Sequence, residues 1–365
     1  MGFLDIDMNW HNFEQLTLNG KTYSKLTLLD FCKQAPQQHI NELGAFLSDW
    51  FLDADTITLK TSGSTGVPKT IVVRKEQMLK SAAATANYFN FKPGQSALLC
   101  LPMPYIAARM MVVRALFSGL NLICIAPCSN PLDAIDDSIH IDFAPLTPMQ
   151  LHFVSNTKGI KHILLGGAPI SESLELRCQS LSAQIFHGYG MTETLSHVAI
   201  RRVNGADKSN IFYGLPNMVF HTDERGCLTI DVPYLEKRIV TNDLVALLSD
   251  KSFIWQGRAD NLINSGGIKL IPEHIEEKLL PFLTNRFFVA GLPDDKWGQK
   301  LVLVIEGSPL LAYQINVLKE NMNQHLNRIE QPKEIWFIEK FIETPTGKIQ
   351  RLQTLNLTID ERKIR

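Results

Sequence analysis

Short apolar runs alternate with longer stretches of helical periodicity through the first two thirds of the chain. Residues 16–23 alternate around Asn19-Gly20, a pair that accepts the positive φ angles of a type I′ turn, so a β-hairpin is predicted there. A helix is predicted over residues 37–51. Apolar runs predict strands over residues 56–60, 70–74, 97–101, 121–125, 161–165 and 184–187. Strands that alternate with helices predict an α/β sheet covered by helices.

The pattern changes from about residue 219, where apolar runs follow one another without room for helices between them. Those runs cover residues 227–232, 238–240, 245–248 and 253–255. Their close spacing predicts a β subdomain.

Beyond residue 257 a polar, glycine-bearing stretch precedes a second mixed region. Helices are predicted there over residues 273–280 and 312–326, with strands near residue 287 and over 301–305. We therefore predict a large α/β domain with its β subdomain, a hinge and a small mobile α+β domain. The predicted bounds are 1–257 for the large domain, 258–261 for the hinge and 262–365 for the small domain.

Composition excludes several classes of partner. The 36 lysines and arginines balance the 37 acidic residues, so no overall field attracts nucleic acid or an anionic membrane. Prolines and arginines interrupt the most apolar region, 97–126, so membrane insertion is not expected. The six cysteines lack the two-residue spacing of zinc or redox motifs, which favours buried free thiols and no bound metal. With no signal-peptide pattern at residues 1–6, we expect a cytoplasmic protein; whether it forms a homo-oligomer stays open.

The sequence TSGSTGVPK at residues 61–69 is the first candidate for chemistry. Its hydroxyl and backbone N–H groups suit a phosphate, and a lysine adds a point charge. A simple hairpin turn is the alternative, but a turn needs fewer residues. Pro68 stands where the Walker loop has glycine, so a P-loop kinase is not expected. The candidate phosphate ligands are Thr61, Ser62, Gly63, Ser64, Thr65 and Lys69.

A second candidate is the sequence GYGMTE at residues 188–193. Its glycines permit close backbone approach, and Glu193 can face a triphosphate only with a cation between them, which predicts a magnesium ligand. A glutamate at a helix N-terminus is the alternative. The glycines at 166–167 end a predicted strand and suit either a flat ligand or a tight turn. Asp243 suits ribose hydroxyls, although an exposed ion pair is the commoner role of such an acid. The turn at 344–351 presents Lys348.

Together these motifs resemble the adenylate-forming superfamily of acyl-CoA synthetases, luciferases and peptide-synthetase adenylation domains, over residues 56–351. The resemblance implies an acetyl-CoA synthetase-like fold and an AMP-forming ligase that uses ATP, magnesium and coenzyme A. It assigns catalysis to Lys348, Glu193 and Thr192, and a hinge to Asp260. It places the coenzyme A tunnel at Ser265, Gly266 and Gly267. The implied nucleotide-binding residues beyond the phosphate loop are Gly166, Gly167, Ala168, Pro169, His187, Gly188, Tyr189, Gly190, Asp243 and Arg258.

Within that superfamily, residues 105–111 and 192–197 look most like bacterial 2-succinylbenzoate–CoA ligases of menaquinone synthesis. Such a substrate has a second carboxylate, for which Arg109 is a bidentate partner by its chemistry. The resemblance also places Tyr105 and His197 at the acyl group. A surface ion pair is the alternative for Arg109, and a bond to a local backbone group is the alternative for His197. An enzyme that loads a carrier protein, another acyl-CoA ligase and a non-catalytic nucleotide-binding protein are the other functions considered.

Overall fold

A computed structural model describes residues 8–60, 70–136, 138–344 and 349–356. Its first strands, β1 (Gln15–Leu18) and β2 (Lys21–Ser24), pair antiparallel. Asn19 and Gly20 between them have φ angles of 50° and 81°, as a type I′ turn requires, so the predicted hairpin is confirmed. The hairpin extends the main sheet because β1 also pairs in parallel with a later strand, at residues 121 and 122.

Helices and strands alternate through the first half of the chain, as predicted. The strands are β3 (Thr56–Lys60), β4 (Thr70–Arg74), β5 (Ser96–Leu99), β6 (Asn121–Cys124), β7 (Ile141–Leu146), β8 (Ile160–Leu165), β9 (Gln184–Gly190) and β10 (His197–Arg202). The helices are α1 (Lys25–Gln34), α2 (Gln38–Phe51), α3 (Lys75–Phe89), α4 (Ile106–Ser118), α5 (Pro148–Phe153) and α6 (Glu172–Cys178).

The second half is richer in strands. It contains β11 (Ile211–Gly214), β12 (Val219–Thr222), β13 (Cys227–Asp231), β14 (Ile239–Ser249), β15 (Ser252–Arg258), β16 (Ile263–Ser265), β17 (Ile268–Leu270), β18 (Phe287–Asp294), β19 (Gly298–Glu306) and β20 (Glu334–Ile338). The helices α7 (Pro272–Leu279) and α8 (Ala312–His325) accompany these strands.

Within the described residues one hydrogen-bonded path joins thirteen strands in the order β12-β13-β14-β15-β11-β10-β9-β8-β7-β5-β6-β1-β2. The pairs from β9 to β1 are parallel, while those from β9 to β12 are antiparallel. The change of direction at β9 therefore joins the predicted α/β sheet to the predicted β subdomain. The pair β3–β4 forms a separate two-stranded sheet at the ends of residues 61–69, which lie outside the described residues.

The structure corrects two strand predictions and the predicted burial of one cysteine. The strands predicted over residues 238–240 and 245–248 are one strand, β14, which begins at Ile239, since the polar pair Asn242-Asp243 interrupts the apolar pattern but not the backbone pairing. Asp243 thus lies inside a strand. The strand predicted over residues 184–187 continues through Gly190 as β9. Cys128 is exposed, whereas the other five cysteines are buried free thiols.

The later strands form a smaller sheet in the order β17-β16-β19-β18, with β20 also paired to β19. Its two faces have separate cores, one against α7 and α8 around Leu303, the other around Val304 and Trp336. Neither core includes a residue of the large hydrophobic core that surrounds β5–β9. The domain boundaries and the mobility of the small domain stay predictions. Among the described helices, none has both the length and the apolar character to cross a membrane.

Candidate active site

The carboxyl ends of β8 and β9 bring two of the predicted nucleotide segments together. These strands are parallel neighbours, with Leu165 opposite His187, so residues 166–169 lie beside residues 188–190. A Cβ atom added at Gly166 or Gly167 would meet nothing within 4 Å, and Gly167 has a φ of 86°. The backbone at the end of β8 is therefore bare and open, which suits a flat ligand.

The glycines of β9 are required for a different reason. A Cβ at Gly190 would lie 2.3 Å from the carbonyl oxygen of Ser196, and one at Gly188 would lie 3.1 Å from Cβ of His197. Strand β10 thus passes too close to β9 for a side chain at these positions. These two glycines allow the return of the chain and bring Ser196 and His197 to the end of β9.

His187 is fixed between a cation and a backbone carbonyl. Its Nδ1 accepts a 3.3 Å hydrogen bond from Nε of Arg201, so the ring proton is on Nε2, which donates to the carbonyl of Ala168 at 3.2 Å. Burial, and then the charge of Arg201, lower the pKa of His187 to about 3. Glu175 in α6 forms an ion pair with Arg201. The neutral histidine therefore ties β9 to the 166–169 loop.

Sequence reasoning missed Arg201 and Glu175. They are separated in the chain, and no motif joins them. Arg201 lies in the mostly buried strand β10 and is 8% exposed. A charged residue at the end of an apolar run is the signal that the sequence offered, since a buried charge needs a partner.

Asp243, the predicted ribose acceptor, is 7% exposed and accepts three hydrogen bonds. Tyr189 donates to its Oδ2 at 2.7 Å, and Trp255 donates to its Oδ1 at 3.1 Å. Arg258 lies 3.4 Å from the same Oδ1. Burial and the nearby carboxylate raise the pKa of Tyr189 well above its usual value, so the phenol remains a donor. The structure thus brings together three of the predicted nucleotide residues, and it adds Trp255.

Thr192 and Glu193 lie in a short 3₁₀ turn after β9. The turn is closed by the side chain of Thr194, whose oxygen accepts from the N–H of Met191 at 2.9 Å. It ends at Leu195, a buried residue with a φ of 67°, which is unusual for a bulky side chain. Glu193 is exposed and has no ion-pair or hydrogen-bond partner within the described residues.

A magnesium ion fits this carboxylate because the ion is held in nucleotide sites by one or two carboxylates together with substrate phosphates. The described part of the chain has no group of three or more His, Cys, Asp and Glu residues placed to hold a metal ion. The exposed carboxylate of Glu193, in the turn that follows β9, agrees with the first of these arrangements.

On the predicted acyl side, Tyr105 precedes α4 as its N-cap residue. Arg109, in the first turns of α4, donates to the carbonyl oxygens of Met103 and Thr58, each at 3.0 Å, and its guanidinium lies over the ring of Phe46. Arg109 thus joins α4 to the β3–β4 hairpin. Its predicted contact with a substrate carboxylate stays a prediction.

His197, the other predicted acyl residue, is buried at the start of β10. Its Nε2 lies 3.2 Å from the hydroxyl of Thr85 in α3, and its Nδ1 lies 3.1 Å from that of Ser196. Burial, and then the charge of Arg114, lower its pKa well below the usual value for histidine. His197 is therefore a neutral hydrogen-bonding residue at physiological pH.

Arg114 is the residue of this cluster that sequence reasoning missed. It lies on α4 one and a half turns beyond Arg109 and is 3% exposed. One of its terminal nitrogens donates to the hydroxyl of Ser196, whereas its Nε has no partner within the described residues. Burial lowers its pKa to about 10, so it is still charged at neutral pH. A buried cation without a carboxylate is costly unless an anion joins it.

The predicted coenzyme A turn lies in the small sheet. Ser265, Gly266 and Gly267 connect β16 to β17, and both glycines have positive φ angles. The N–H of Gly266 donates to the carbonyl of Trp297 at 2.7 Å. Lys348 and residues 61–69 are outside the described residues, so their predicted roles stay predictions.

Comparison with known proteins gives a family match and similarities that extend over most of the chain. The model of the AMP-binding enzyme family matches residues 56–223. A 2-succinylbenzoate–CoA ligase of Haemophilus influenzae is 29% identical over 83% of this chain and 71% of its own length.

Two solved structures extend the comparison. An acyl-CoA synthetase (AMP-forming)/AMP-acid ligase II-like protein from Dyadobacter fermentans is 36% identical, with a TM-score of 0.58, over 90% of this chain and 97% of that one. An o-succinylbenzoate CoA synthetase from Bacillus subtilis, solved with its acyl-adenylate intermediate, has a TM-score of 0.71 at 20% identity over 83% of this chain and 69% of that one. The second similarity concerns the fold alone.

Proposed function

Because the chain belongs to the family of AMP-binding enzymes, we propose that it is an ATP-dependent ligase that joins a carboxylic acid to coenzyme A. In the first step an oxygen of the carboxylate attacks the α-phosphorus of ATP, and the bond to the β-phosphate breaks to release pyrophosphate. In the second step the thiol sulfur of coenzyme A attacks the acyl carbon, and AMP leaves. The acid we propose is 2-succinylbenzoate, for use in menaquinone synthesis.

The contacts of β8, β9 and β14 support the nucleotide part of the proposal. The bare backbone at Gly166 and Gly167 provides a flat surface for the adenine, with Tyr189 at the end of the neighbouring strand. A carboxylate has about four lone-pair sites, and three donors already contact Asp243, so one site is open to a ribose hydroxyl. A second hydroxyl would replace the 3.4 Å contact with Arg258.

Glu193 would hold magnesium, which when bound neutralises phosphate charge as the α-phosphorus is attacked. The resemblance assigns a second source of positive charge to Lys348 and a clamp on the phosphates to residues 61–69. The turn at Ser265–Gly267 would form a wall of the passage for the pantetheine arm, since glycines leave room for a narrow chain.

The buried guanidinium of Arg114, which has no carboxylate partner among the described residues, is the observation that carries the choice of acid. A substrate with two carboxylates must keep one of them bound while the other reacts, and a buried guanidinium is the group best suited to hold it. An apolar acyl chain would supply no anion to this cation. The buried charge thus supports a dicarboxylic acid over a fatty acid, and the similarity to the 2-succinylbenzoate ligase named above supports this particular acid.

The test is a panel of acids with the purified protein, ATP and magnesium, in which pyrophosphate release is measured with and without coenzyme A. The panel contains 2-succinylbenzoate, benzoate, malonate and decanoate. We expect release with 2-succinylbenzoate well above the other acids, and a thioester together with AMP when coenzyme A is added. Transfer to a carrier protein but not to coenzyme A would support the carrier-loading alternative. No pyrophosphate exchange into ATP with any acid would indicate a non-catalytic protein.

A further inference from the structure

The side chains of Asp260 and Asn261, neighbours in the predicted hinge, form hydrogen bonds to different parts of the protein. Asp260 contacts the large sheet: its Oδ1 accepts from Nδ2 of Asn242 at 2.9 Å, and its Oδ2 accepts from Arg258 at 2.7 Å. Asn261 contacts the small domain, where its Nδ2 donates to Oε1 of Glu273 in α7 at 2.6 Å. The position of Asp260 on the large sheet, and that of Asn261 on the small domain, therefore each depend on side-chain hydrogen bonds.

The side-chain amide of Asn242 is fixed from its other end. Arg225 donates to Oδ1 of Asn242 at 2.9 Å and to the carbonyl of Thr241 at 3.0 Å, and it also pairs with Asp223. A guanidinium can only donate, so the amide oxygen must face Arg225 and the amide N–H₂ must face Asp260. The network thus assigns the orientation of this amide without ambiguity.

The same network reaches the nucleotide site. Asn242 precedes Asp243 in β14, and Arg258 contacts both carboxylates, at 2.7 Å from Asp260 and 3.4 Å from Asp243. The hinge carboxylate and the predicted ribose-binding carboxylate therefore share one cation, and Asn242 is the remaining large-sheet donor to the hinge carboxylate. A hydroxyl that displaces Arg258 from Asp243 leaves the bond from Asn242 in place.

We propose that Asn242 is a positioning residue whose amide holds Asp260 on the large sheet and so favours one arrangement of the hinge over the other. This rests on the proposed function, in which acyl-AMP formation and thioester formation use different arrangements of the small domain. Asn242 then sets the balance between the two half-reactions without contacting either substrate.

An incidental surface contact is the alternative, since Asp260 is partly exposed and such pairs often contribute little. The two accounts differ in what a change of one atom does. N242D keeps the acceptor for Arg225, removes the donor to Asp260 and places a second carboxylate against it. In the double variant N242D/D260N an amide at position 260 can donate to the new carboxylate and accept from Arg258, which restores the bonds with reversed polarity.

Two measurements test the proposal on the full-length protein. The first is hydrogen exchange of the peptide that contains residues 258–262, which needs no activity. The second is the ratio of the acyl-AMP formation rate to the rate of thioester formation from supplied acyl-AMP. We expect N242D to speed exchange and to shift the ratio, each by about three- to tenfold, and the double variant to return both toward wild type. N321D, an equal charge change on α8 where the asparagine bonds its own helix, is the control.

The proposal would be overturned if N242D matched N321D in its hydrogen exchange and in its ratio of half-reaction rates. It would also be overturned if the double variant were no closer to wild type than N242D. Equal loss of both half-reactions would also overturn it. A failure of the proposed function is distinct, because the wild-type protein would then form no acyl-AMP while the exchange at residues 258–262 would still respond to N242D.

Discussion

The phenol of Tyr189 donates a 2.7 Å hydrogen bond to Oδ2 of Asp243, which joins the carboxyl end of β9 to the middle of β14. The ring of Tyr189 packs edge-on against Phe253 at 5.1 Å and against Phe212 at 5.9 Å, so its direction is set by the core. The carboxylate is thereby fixed relative to β9, whose His187 is in turn bonded to the carbonyl of Ala168. The proposed function uses this connection, with the base of the nucleotide at residues 166–167 and its ribose at Asp243.

The first prediction concerns that hydrogen bond. Tyr189→Phe removes one of the three donors to Asp243 and leaves the aromatic packing in place. We expect KM for ATP to rise about tenfold, since a hydrogen bond to a charged group contributes about 1.5 kcal/mol, with little change in KM for the acid. Steady-state pyrophosphate release at varied ATP and varied acid measures both. The control is Tyr213→Phe, at an exposed side chain of β11. An equal rise in both constants would contradict a nucleotide role.

The sequence predicted most strands, and the helices α2, α7 and α8, because their apolar patterns are local. The hairpin at Asn19-Gly20, the helix now bounded at Gln38–Phe51 and the strands β3, β4 and β8 all follow from short-range composition. Strand β14 was divided in the prediction because Asn242 and Asp243 are polar and are needed by distant partners. There the tertiary contacts, rather than the local pattern, decide the structure.

The residues of the candidate site show the same contrast between local sequence patterns and tertiary contacts. The residues at 166–169 and 188–193 were predicted because glycine-rich motifs mark the ends of strands, and Asp243 was predicted because a carboxylate suits ribose hydroxyls. Arg114 and Arg201 were not found, since each is an isolated charge whose importance arises only from the groups that surround it in the fold. A cation inside an apolar helical pattern, as at Arg114 in α4, is the signal that could have indicated a buried anion site.

The second prediction separates two arginines on α4. Arg114→Met removes a buried cation that lacks a carboxylate, so we expect a higher melting temperature together with a loss of selectivity. The kcat/KM for 2-succinylbenzoate should fall relative to that for benzoate. The fall should correspond to a loss of about 1.5 to 3 kcal/mol in transition-state binding, the contribution of a charged hydrogen bond. Pyrophosphate release with the two acids and thermal melting measure the two effects.

Arg109→Met is the matched comparison. Its guanidinium bonds two backbone carbonyls and supports the β3–β4 hairpin, so we expect a lower melting temperature and an equal loss with both acids. If Arg109→Met selectively lost activity with the dicarboxylate and Arg114→Met did not, the substrate carboxylate would be assigned to Arg109 instead.

The third prediction concerns Lys348, which the resemblance places at the forming acyl phosphate. We expect Lys348→Ala to slow acyl-AMP formation by about 10² to 10³, the typical effect of one lost transition-state donor, and to leave thioester formation from supplied acyl-AMP unchanged. Rapid-quench measurement of each half-reaction tests this. The control is Lys340→Ala, at an exposed lysine that is close to Lys348 in the sequence. Equal loss in both half-reactions would argue against a lysine that acts in the first step alone.

The last prediction concerns pH and the two histidines beside the site. The pKa of His187 is lowered to about 3 and that of His197 well below its usual value, chiefly by burial, so both are neutral in the folded protein. The unfolded chain takes up a proton at each below its ordinary pKa of about 6.5. Stability is therefore full above that pH and lost as pH falls from about 6.5 toward the folded pKa, by about 1.4 kcal/mol per pH unit for each histidine.

Urea unfolding at pH 7.5, 6.5, 5.5 and 4.5 measures this slope. His187→Asn and His197→Asn should each reduce the dependence by about one proton, because each removes a ring that the fold keeps neutral. His140→Asn, at an exposed position, is the control substitution. If neither buried substitution alters the pH dependence of the unfolding free energy below pH 6.5, other groups determine the acid sensitivity. In that case the bonds of His187 to Arg201 and Ala168 do not keep its ring neutral.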